Sequence, residues 1–126
     1  MKIDMFKITT ELRAILLENE EIIDLIDDKI YPIIAPEDTE GSFIVYQRDG
    51  YKQVYSKLGV AEQIPIVNIA AISDNYDCSQ VLASLIYNSL SGKFRDPDIH
   101  IQLEDSTEDF IDSKFIQVLQ FSIKQI

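Results

Sequence analysis

The sequence predicts a single α+β domain with a mostly antiparallel four-stranded sheet and two main helices, in the order α-β-β-α-β-β. Three observations support this prediction. Apolar and polar residues alternate from Ile99 onward, apolar residues after Asp74 recur at helical spacing, and short runs rich in β-branched residues lie between them. A length of 126 residues suits one domain covering residues 1–126.

The end of the chain predicts a hairpin. Ile99, Ile101 and Leu103 share one parity, and the run from Phe115 to Ile123 alternates in the same way. Between the two runs lies an acidic stretch, residues 104–112, which we expect to form a charged turn or loop. Its acidic members are Glu104, Asp105, Glu108, Asp109 and Asp112.

The main helix is predicted after residue 73. Ser73 or Asp74 can cap its start and Gly92 can end it. Its apolar face is expected to comprise Cys78, Val81, Leu82, Leu85, Ile86 and Leu90.

The first third of the chain predicts a helix followed by extended structure. Thr9 or Thr10 can cap the helix, which should end at Asn19, and residues 20–28 begin a short second turn or helix. Residues 30–36 should run extended because each of two prolines restricts the residue before it. Residues 37–42 are expected to form a loop.

Two strands are predicted in the middle of the chain. Residues 43–48 form the first strand, which stops at an Asp49-Gly50 turn. Residues 64–73 are apolar on both parities, as in a central strand covered on both faces. Residues 51–63 form either a mobile loop or a short extension of the pairing.

Composition narrows the function classes. The net charge of −11 opposes binding to phosphate backbones. The single Cys78 excludes an internal disulfide, and no signal segment or apolar run long enough to cross a bilayer occurs. We therefore expect a soluble cytosolic protein.

No catalytic group or cofactor is expected. Cys78 falls on an apolar helix face and His100 on the polar parity of a strand, and the four isolated glycines form no phosphate-binding loop. The acidic stretch is more typical of a solvated hairpin end than of a cation site. One enzymatic alternative remains, a small magnesium-dependent nuclease using Asp98, Asp112 and Lys114.

For residues 49–63 a protein interface is a better hypothesis than a catalytic site. Aromatic and basic side chains there are typical of interfaces, although an ordinary polar loop is an equal alternative. The candidate residues on this side are Arg48, Tyr51, Lys52, Tyr55 and Lys57.

The order of these segments resembles the tail-completion, or tail-terminator, proteins of long-tailed bacteriophages and prophages. The resemblance covers nearly the whole chain. The segments that carry it are the N-terminal helix, residues 30–36, residues 43–48, the Ala70-Ala71 strand, the main helix, and Glu104-Asp105 and Glu108-Asp109 before the last strand.

The resemblance implies a structural subunit without catalytic, cofactor-binding or metal-binding residues. Its partners would be copies of itself, the tail tube protein and the head connector or neck proteins, with no membrane and with DNA only as passing cargo. A ring expected to have six subunits would stop tube growth at the head-proximal end of the tail. It would assemble in the host cytoplasm and remain in the virion tail.

Charge suggests how such a ring could close. Arg48, Lys52 and Lys57 could meet Glu104, Glu108 or Asp112 of the next copy in a head-to-tail interface. The surplus acids could also line a bore through which DNA passes without sticking. A generic adaptor domain remains a further alternative.

Overall fold

The computed structural model describes residues 4–126. Its helical elements are a single 3-10 turn and three α-helices: Met5–Lys7, then α1 Ile8–Leu17, α2 Glu20–Ile26 and α3 Tyr76–Leu90. Its strands are β1 Ile30–Pro32, β2 Phe43–Ser56, β3 Gly59–Ser73, β4 Gly92–Phe94, β5 Ile99–Ile111 and β6 Lys114–Gln125.

The strands form one six-stranded sheet in the order β1-β2-β3-β6-β5-β4. β1 runs parallel to β2, and the other neighbours are antiparallel. The predicted α+β architecture, a four-stranded antiparallel sheet with two main helices, is therefore wrong: the fold is mostly β, with a mixed sheet and three α-helices. The two additional strands, β1 and β4, are only three residues long and lie at the sheet edges, so they leave too short a pattern for periodicity to identify.

The helices pack on one face of the sheet and bury its central strands. Leu82, Ile86 and Leu90 of α3 are fully buried, as four-residue spacing on one helix face requires. Opposite them, alternate residues of β3 and β6 point into the same core. These are Val67, Ile69 and Ala71 in β3, and Leu119, Phe121 and Ile123 in β6.

The helix starts differ from the prediction. α3 is capped by Asn75, whose Oδ1 accepts a hydrogen bond from the Cys78 amide at 3.0 Å, and not by Ser73 or Asp74. Asn19 does not end the first helix but caps α2, where its Oδ1 accepts from the Ile22 amide at 3.1 Å.

Two threonines proposed as caps lie inside a helix. α1 begins at Ile8, after the 3-10 turn, so Thr9 and Thr10 occupy its first turn. The 3-10 turn itself is capped by Asp4, whose Oδ1 accepts from the Phe6 amide at 3.0 Å. The helix therefore starts earlier than the sequence indicated.

Strands β2 and β3 are longer than the strands predicted at residues 43–48 and 64–73. The Asp49-Gly50 pair is not a turn but part of a bulge, and β2 continues to pair with β3 as far as Ser56 and Gly59. Residues 51–63 are thus mostly paired, and of the two alternatives the pairing extension is the correct one.

The acidic stretch is a strand and not a charged loop. After a bulge between Leu103 and Asp105, β5 pairs with β6 through Ile111 and Lys114. The turn is only Asp112-Ser113, with φ angles of 52° and 64°. Positive φ at both central residues is what a tight type I′ hairpin turn requires.

Candidate assembly surface

The ends of the two hairpins lie at opposite ends of the sheet. In the β3–β6 ladder Ile66 pairs with Ser122 and Ser73 with Phe115, so β6 begins where β3 ends. The β5–β6 turn is therefore remote from the β2–β3 turn. At about 3.3 Å per strand residue, the two turns are on the order of 50 Å apart.

The β2–β3 hairpin extends beyond the rest of the sheet. β1 pairs with β2 only as far as Tyr46, and β6 pairs with β3 only from Ile66 onward. Residues 51–65 therefore form a two-stranded projection, which we call the β2–β3 arm. Within the described residues no third strand supports it.

The end of the β2–β3 arm exposes apolar side chains. Leu58 is 100% exposed, Tyr55 70% and Val60 48%. Lys52 and Lys57 are exposed beside them. Tyr55 and Val60 face each other across the ladder, and Leu58 lies in the turn beyond them. An exposed apolar cluster beside positive charge has the composition of a protein-binding surface.

An aromatic stack fixes the root of the arm. The Phe6 ring lies on the Tyr51 ring, with centroids 4.4 Å apart and planes inclined by 14°. The Arg48 guanidinium sits 4.5 Å from the Phe6 centroid and 5.3 Å from that of Tyr51. Arg48 and Tyr51, which the sequence proposed as interface residues, thus hold the arm to the 3-10 turn of the same chain.

The outer edge of β5 carries the acids. β4 pairs with β5 only at residues 99–101, so residues 102–111 have no strand beside them among the described residues; we call them the acidic edge. Its four acidic residues and lack of any basic one make it strongly negative. The acidic residues of this edge are Glu104, Asp105, Glu108 and Asp109.

Glu108 is held in a defined position on this edge. Its Oε2 accepts a hydrogen bond from Gln117 Nε2 at 2.7 Å and another from the Tyr76 hydroxyl at 2.7 Å. These two bonds, first that of Gln117 and then that of Tyr76, lower the pKa of the Glu108 carboxyl. The bond to the carboxylate, followed by burial, raises the pKa of Tyr76. Glu108 therefore ties β5 to β6 and to the start of α3.

The other two acidic residues predicted for the interface, Glu104 and Asp112, differ in whether they bond within their own chain. Glu104 accepts from the Ser122 hydroxyl at 2.5 Å, whereas Asp112 lies exposed in the β5–β6 turn. Beside that turn Phe110 is 57% exposed and packs on Phe115, with ring centroids 4.8 Å apart. Glu104 and Glu108 thus have neighbours in their own chain, and Asp112 is available to another molecule.

Within one molecule the predicted basic and acidic groups do not meet. Lys52 and Lys57 lie on the arm, while the acids lie on the opposite edge and toward the opposite end of the sheet. The ion pair observed among residues 4–126 joins Lys114 to Asp74. The predicted contacts, if they form, must form between molecules.

The geometry of the nuclease alternative is wrong. Asp98 precedes β5 and Asp112 follows it, so the whole of Ile99–Ile111 separates them. At about 3.3 Å per residue that is about 40 Å, far too long for two carboxylates to share a metal ion. The Lys114 ammonium forms an ion pair with Asp74.

Other candidate groups are also dispersed. Over the described range, no three His, Cys, Asp or Glu side chains are grouped so that they could hold a metal ion. Cys78 is half-buried in the first turn of α3, and His100 is half-buried on β5 opposite Lys93.

Sequence reasoning missed the apolar side chains of the two hairpin ends. Leu58, Val60, Phe110 and Ile111 are all substantially exposed. The available signal was Lys57-Leu58-Gly59, because a glycine after polar and aromatic alternation marks a hairpin turn. Phe6 also escaped notice, since its contact with Tyr51 joins residues far apart in sequence.

Comparison with known proteins identifies the fold. No family model matches the chain, and no curated protein matches it. Among solved structures, the chain resembles one described as "Virion of native gene transfer agent (GTA) particle", with a TM-score of 0.77 and 12% sequence identity over 90% of each chain. The chain therefore shares its fold with a chain of a gene transfer agent virion.

In residues 4–126 no helix is both long and apolar enough to cross a membrane.

Proposed function

We propose that this protein is a structural subunit of a phage-like tail. In this proposal its copies form a ring, of six subunits, at the head-proximal end of the tail tube. The ring stops tube growth and joins the tail to the head connector. The chain acts in the host cytoplasm during assembly and stays in the virion tail.

The observation that carries the proposal is the fold likeness to a gene transfer agent virion chain, which extends over 90% of both chains. The order of segments in the sequence, which resembles tail-terminator proteins, supports the same role. The dispersal of Asp98, Asp112 and Lys114 removes the geometric basis of the nuclease alternative. A role through shape and surface is left as the better supported one.

The β2–β3 arm and the acidic edge are the surfaces we assign to assembly. Lys52, Tyr55 and Lys57 are exposed on the arm and can contact another subunit directly. Asp112 is exposed at the other end of the sheet. Arg48 and Tyr51 contribute by holding the arm in place, and Glu104 and Glu108 by supplying negative charge on an ordered strand.

The strong negative charge has a role in the same proposal. A ring at this position surrounds DNA as it passes, and a net charge of −11 per chain disfavours adhesion of phosphates to its inner wall. DNA is then cargo and not a bound partner. Replacing acids of the inner wall by lysine would retain DNA in the assembled ring.

Deletion of the gene from its own phage-like element tests the proposal. We expect electron microscopy to show tails of uncontrolled length that are not joined to heads, and complementation with the wild-type gene to restore both features. Joined tails of normal length in the deletion strain would refute the proposal. Deletion of a generic adaptor domain would leave virion morphology intact, so that result would favour the adaptor alternative.

A further inference from the structure

Two long strand edges are left open at opposite sides of the sheet. On the outer side of β2, β1 pairs only with residues 44–46, so residues 47–56 are unpaired there. On the outer side of β5, β4 pairs only with residues 99–101, so the acidic edge, residues 102–111, is unpaired as well. Both statements concern residues 4–126. Such edges present backbone donors and acceptors that readily pair with another strand.

Two backbone amides of the acidic edge face outward, away from β6. The Ser106 amide donates to Asp105 Oδ1 at 2.9 Å, and the Phe110 amide donates to Asp109 Oδ1 at 2.8 Å. These amides bond a neighbouring carboxylate and not β6, and they are four residues apart, as outward-facing positions of one strand must be. In the single chain these two outward donors are thus satisfied by adjacent carboxylates, which a pairing strand would replace as acceptors.

The two open edges have opposite charge. Residues 47–56 contain Arg48 and Lys52 against a single acid, Asp49, whereas the acidic edge contains four acids and no base. Pairing two acidic edges would set carboxylates against carboxylates, which disfavours it. Pairing an acidic edge with the β2 edge of another copy brings unlike charges together.

Strand direction allows this pairing between copies in the same orientation. β2 is antiparallel to β3, β3 to β6, and β6 to β5, so β2 and β5 run in opposite directions at opposite sides of the sheet. When one copy stands beside another without being inverted, its β5 edge faces the neighbour's β2 edge in an antiparallel sense. This is a head-to-tail contact, the kind that generates rings.

The open segments also determine the offset between neighbours. Gly50 and Gln102 lie at the same level of the sheet, since the ladder connects them through Ile66 and Ser122. From that level most of the open part of β2 runs toward the β2–β3 turn, whereas the open part of β5 runs toward the β5–β6 turn at the other end of the sheet. Full pairing therefore displaces each copy along the strands by about 20 Å, and a closed ring accommodates such a stagger by inclining its strands.

We infer that neighbouring copies join by antiparallel pairing of the acidic edge, residues 102–111, with residues 47–56 of the next copy. The inference deepens the proposed function and rests on it, because it specifies how the ring closes. The sheets of successive subunits then become continuous through the backbone, and the unlike charges select the correct edge.

A proline at one outward amide tests the pairing. Ser106→Pro removes that backbone donor, and an edge strand tolerates proline at a position whose amide faces outward. Ser106→Ala keeps the donor and serves as the matched control. We expect Ser106→Pro to keep the wild-type circular dichroism spectrum and to require at least about tenfold higher concentration for assembly in sedimentation velocity. Ser106→Ala should assemble as the wild type does.

Zero-length carbodiimide cross-linking of the wild-type assembly gives a second, independent readout. Lys52 should link to Glu104, Asp105, Glu108 or Asp109. Within one chain these residues are separated by three strand spacings of about 4.8 Å and by the offset along the strands, so such a link must be between copies. Mass spectrometry of the cross-linked dimer identifies it.

The outcomes separate the inference from the proposed function. Rings that form with Ser106→Pro as readily as with the wild type, and that lack these cross-links, refute the edge pairing and leave the proposed function standing. A wild-type chain that forms no ring, alone or on its tail tube, refutes both. Loss of assembly in Ser106→Pro together with the Lys52 cross-links supports both.

Discussion

Leu58 gives the most direct test that the β2–β3 arm is a contact surface. Its side chain is 100% exposed at the hairpin turn, between Lys57 and Gly59. Because nothing in its own chain covers it, Leu58→Ser should change the free energy of unfolding of the monomer by less than about 0.5 kcal/mol.

The expected effect on assembly is much larger. Burying a fully exposed leucine in an interface contributes about 2 kcal/mol, and each 1.4 kcal/mol corresponds to roughly a tenfold change in Kd. Loss of that burial should therefore weaken each subunit contact by roughly thirtyfold. An effect of this kind, on assembly without an effect on folding, is what an interface residue produces.

Sedimentation velocity over a concentration series measures the association, and urea unfolding measures the monomer. Val81→Ser is the control, since Val81 is 50% exposed and belongs to α3, not to the arm or to either open edge. Assembly of Leu58→Ser at wild-type concentrations would show that the arm end makes no contact. A loss of more than about 1 kcal/mol in monomer stability would instead show that Leu58 supports its own chain.

Four further perturbations test the charges, the acid response, the core and the arm. Replacing Lys52 and Lys57 together by Glu should weaken assembly in light scattering, with added salt weakening the wild type only modestly because exposed charges mainly steer and select. Because hydrogen bonds lower the pKa of Glu108 in the folded state, its contribution to stability is present above the unfolded pKa and is lost as pH falls through the folded one. Acid unfolding followed by circular dichroism should thus depend less steeply on pH in Glu108→Gln. Ile86→Ala should lower the free energy of unfolding by about 2–5 kcal/mol in urea, since Ile86 is fully buried. Phe6→Ala should speed hydrogen exchange of the arm amides and leave those of α3 unchanged, because the Phe6 stack lies at the arm root.

The sequence predicted elements well where burial imposes a period. Ile99 and Ile101 in β5, and the buried residues of α3, fall at the spacing of a half-buried strand and a helix, and the structure has both elements there. Each of these residues contacts the core, so its apolar character is required. That requirement is what a periodicity argument detects.

The sequence wrongly predicts a turn or loop for residues 104–111 and leaves two alternatives open for residues 51–63, because both segments are mostly exposed on both faces. Most of residues 104–111 and 51–63 are exposed, so no alternation between apolar and polar side chains marks them as strands. Their extended conformation is imposed by a partner strand across the hairpin. Glu108 pairs with Gln117 and Lys52 with Ile64, and these pairings are not visible in either segment alone.

Helix starts were misplaced for a related reason. Several residues near each start can cap a helix, and the choice among Ser73, Asp74 and Asn75 depends on which side chain reaches a free amide. Ser73 ends β3, and its Oγ accepts from the Ser42 hydroxyl at 2.9 Å and from the Asn75 amide at 3.2 Å, an amide that precedes α3. Asn75 Oδ1 instead reaches the Cys78 amide inside the first turn of α3. Tertiary packing made that choice.

The sequence by itself determined the main helix, the core-facing strands, the excess of acid and the separation of basic and acidic residues along the chain. The tertiary structure alone decided that these charges lie on two open strand edges at opposite sides of one sheet. The physical reason is that β6 inserts between β3 and β5 by pairing over long sequence distances, and the direction and level of each edge follow from that ladder.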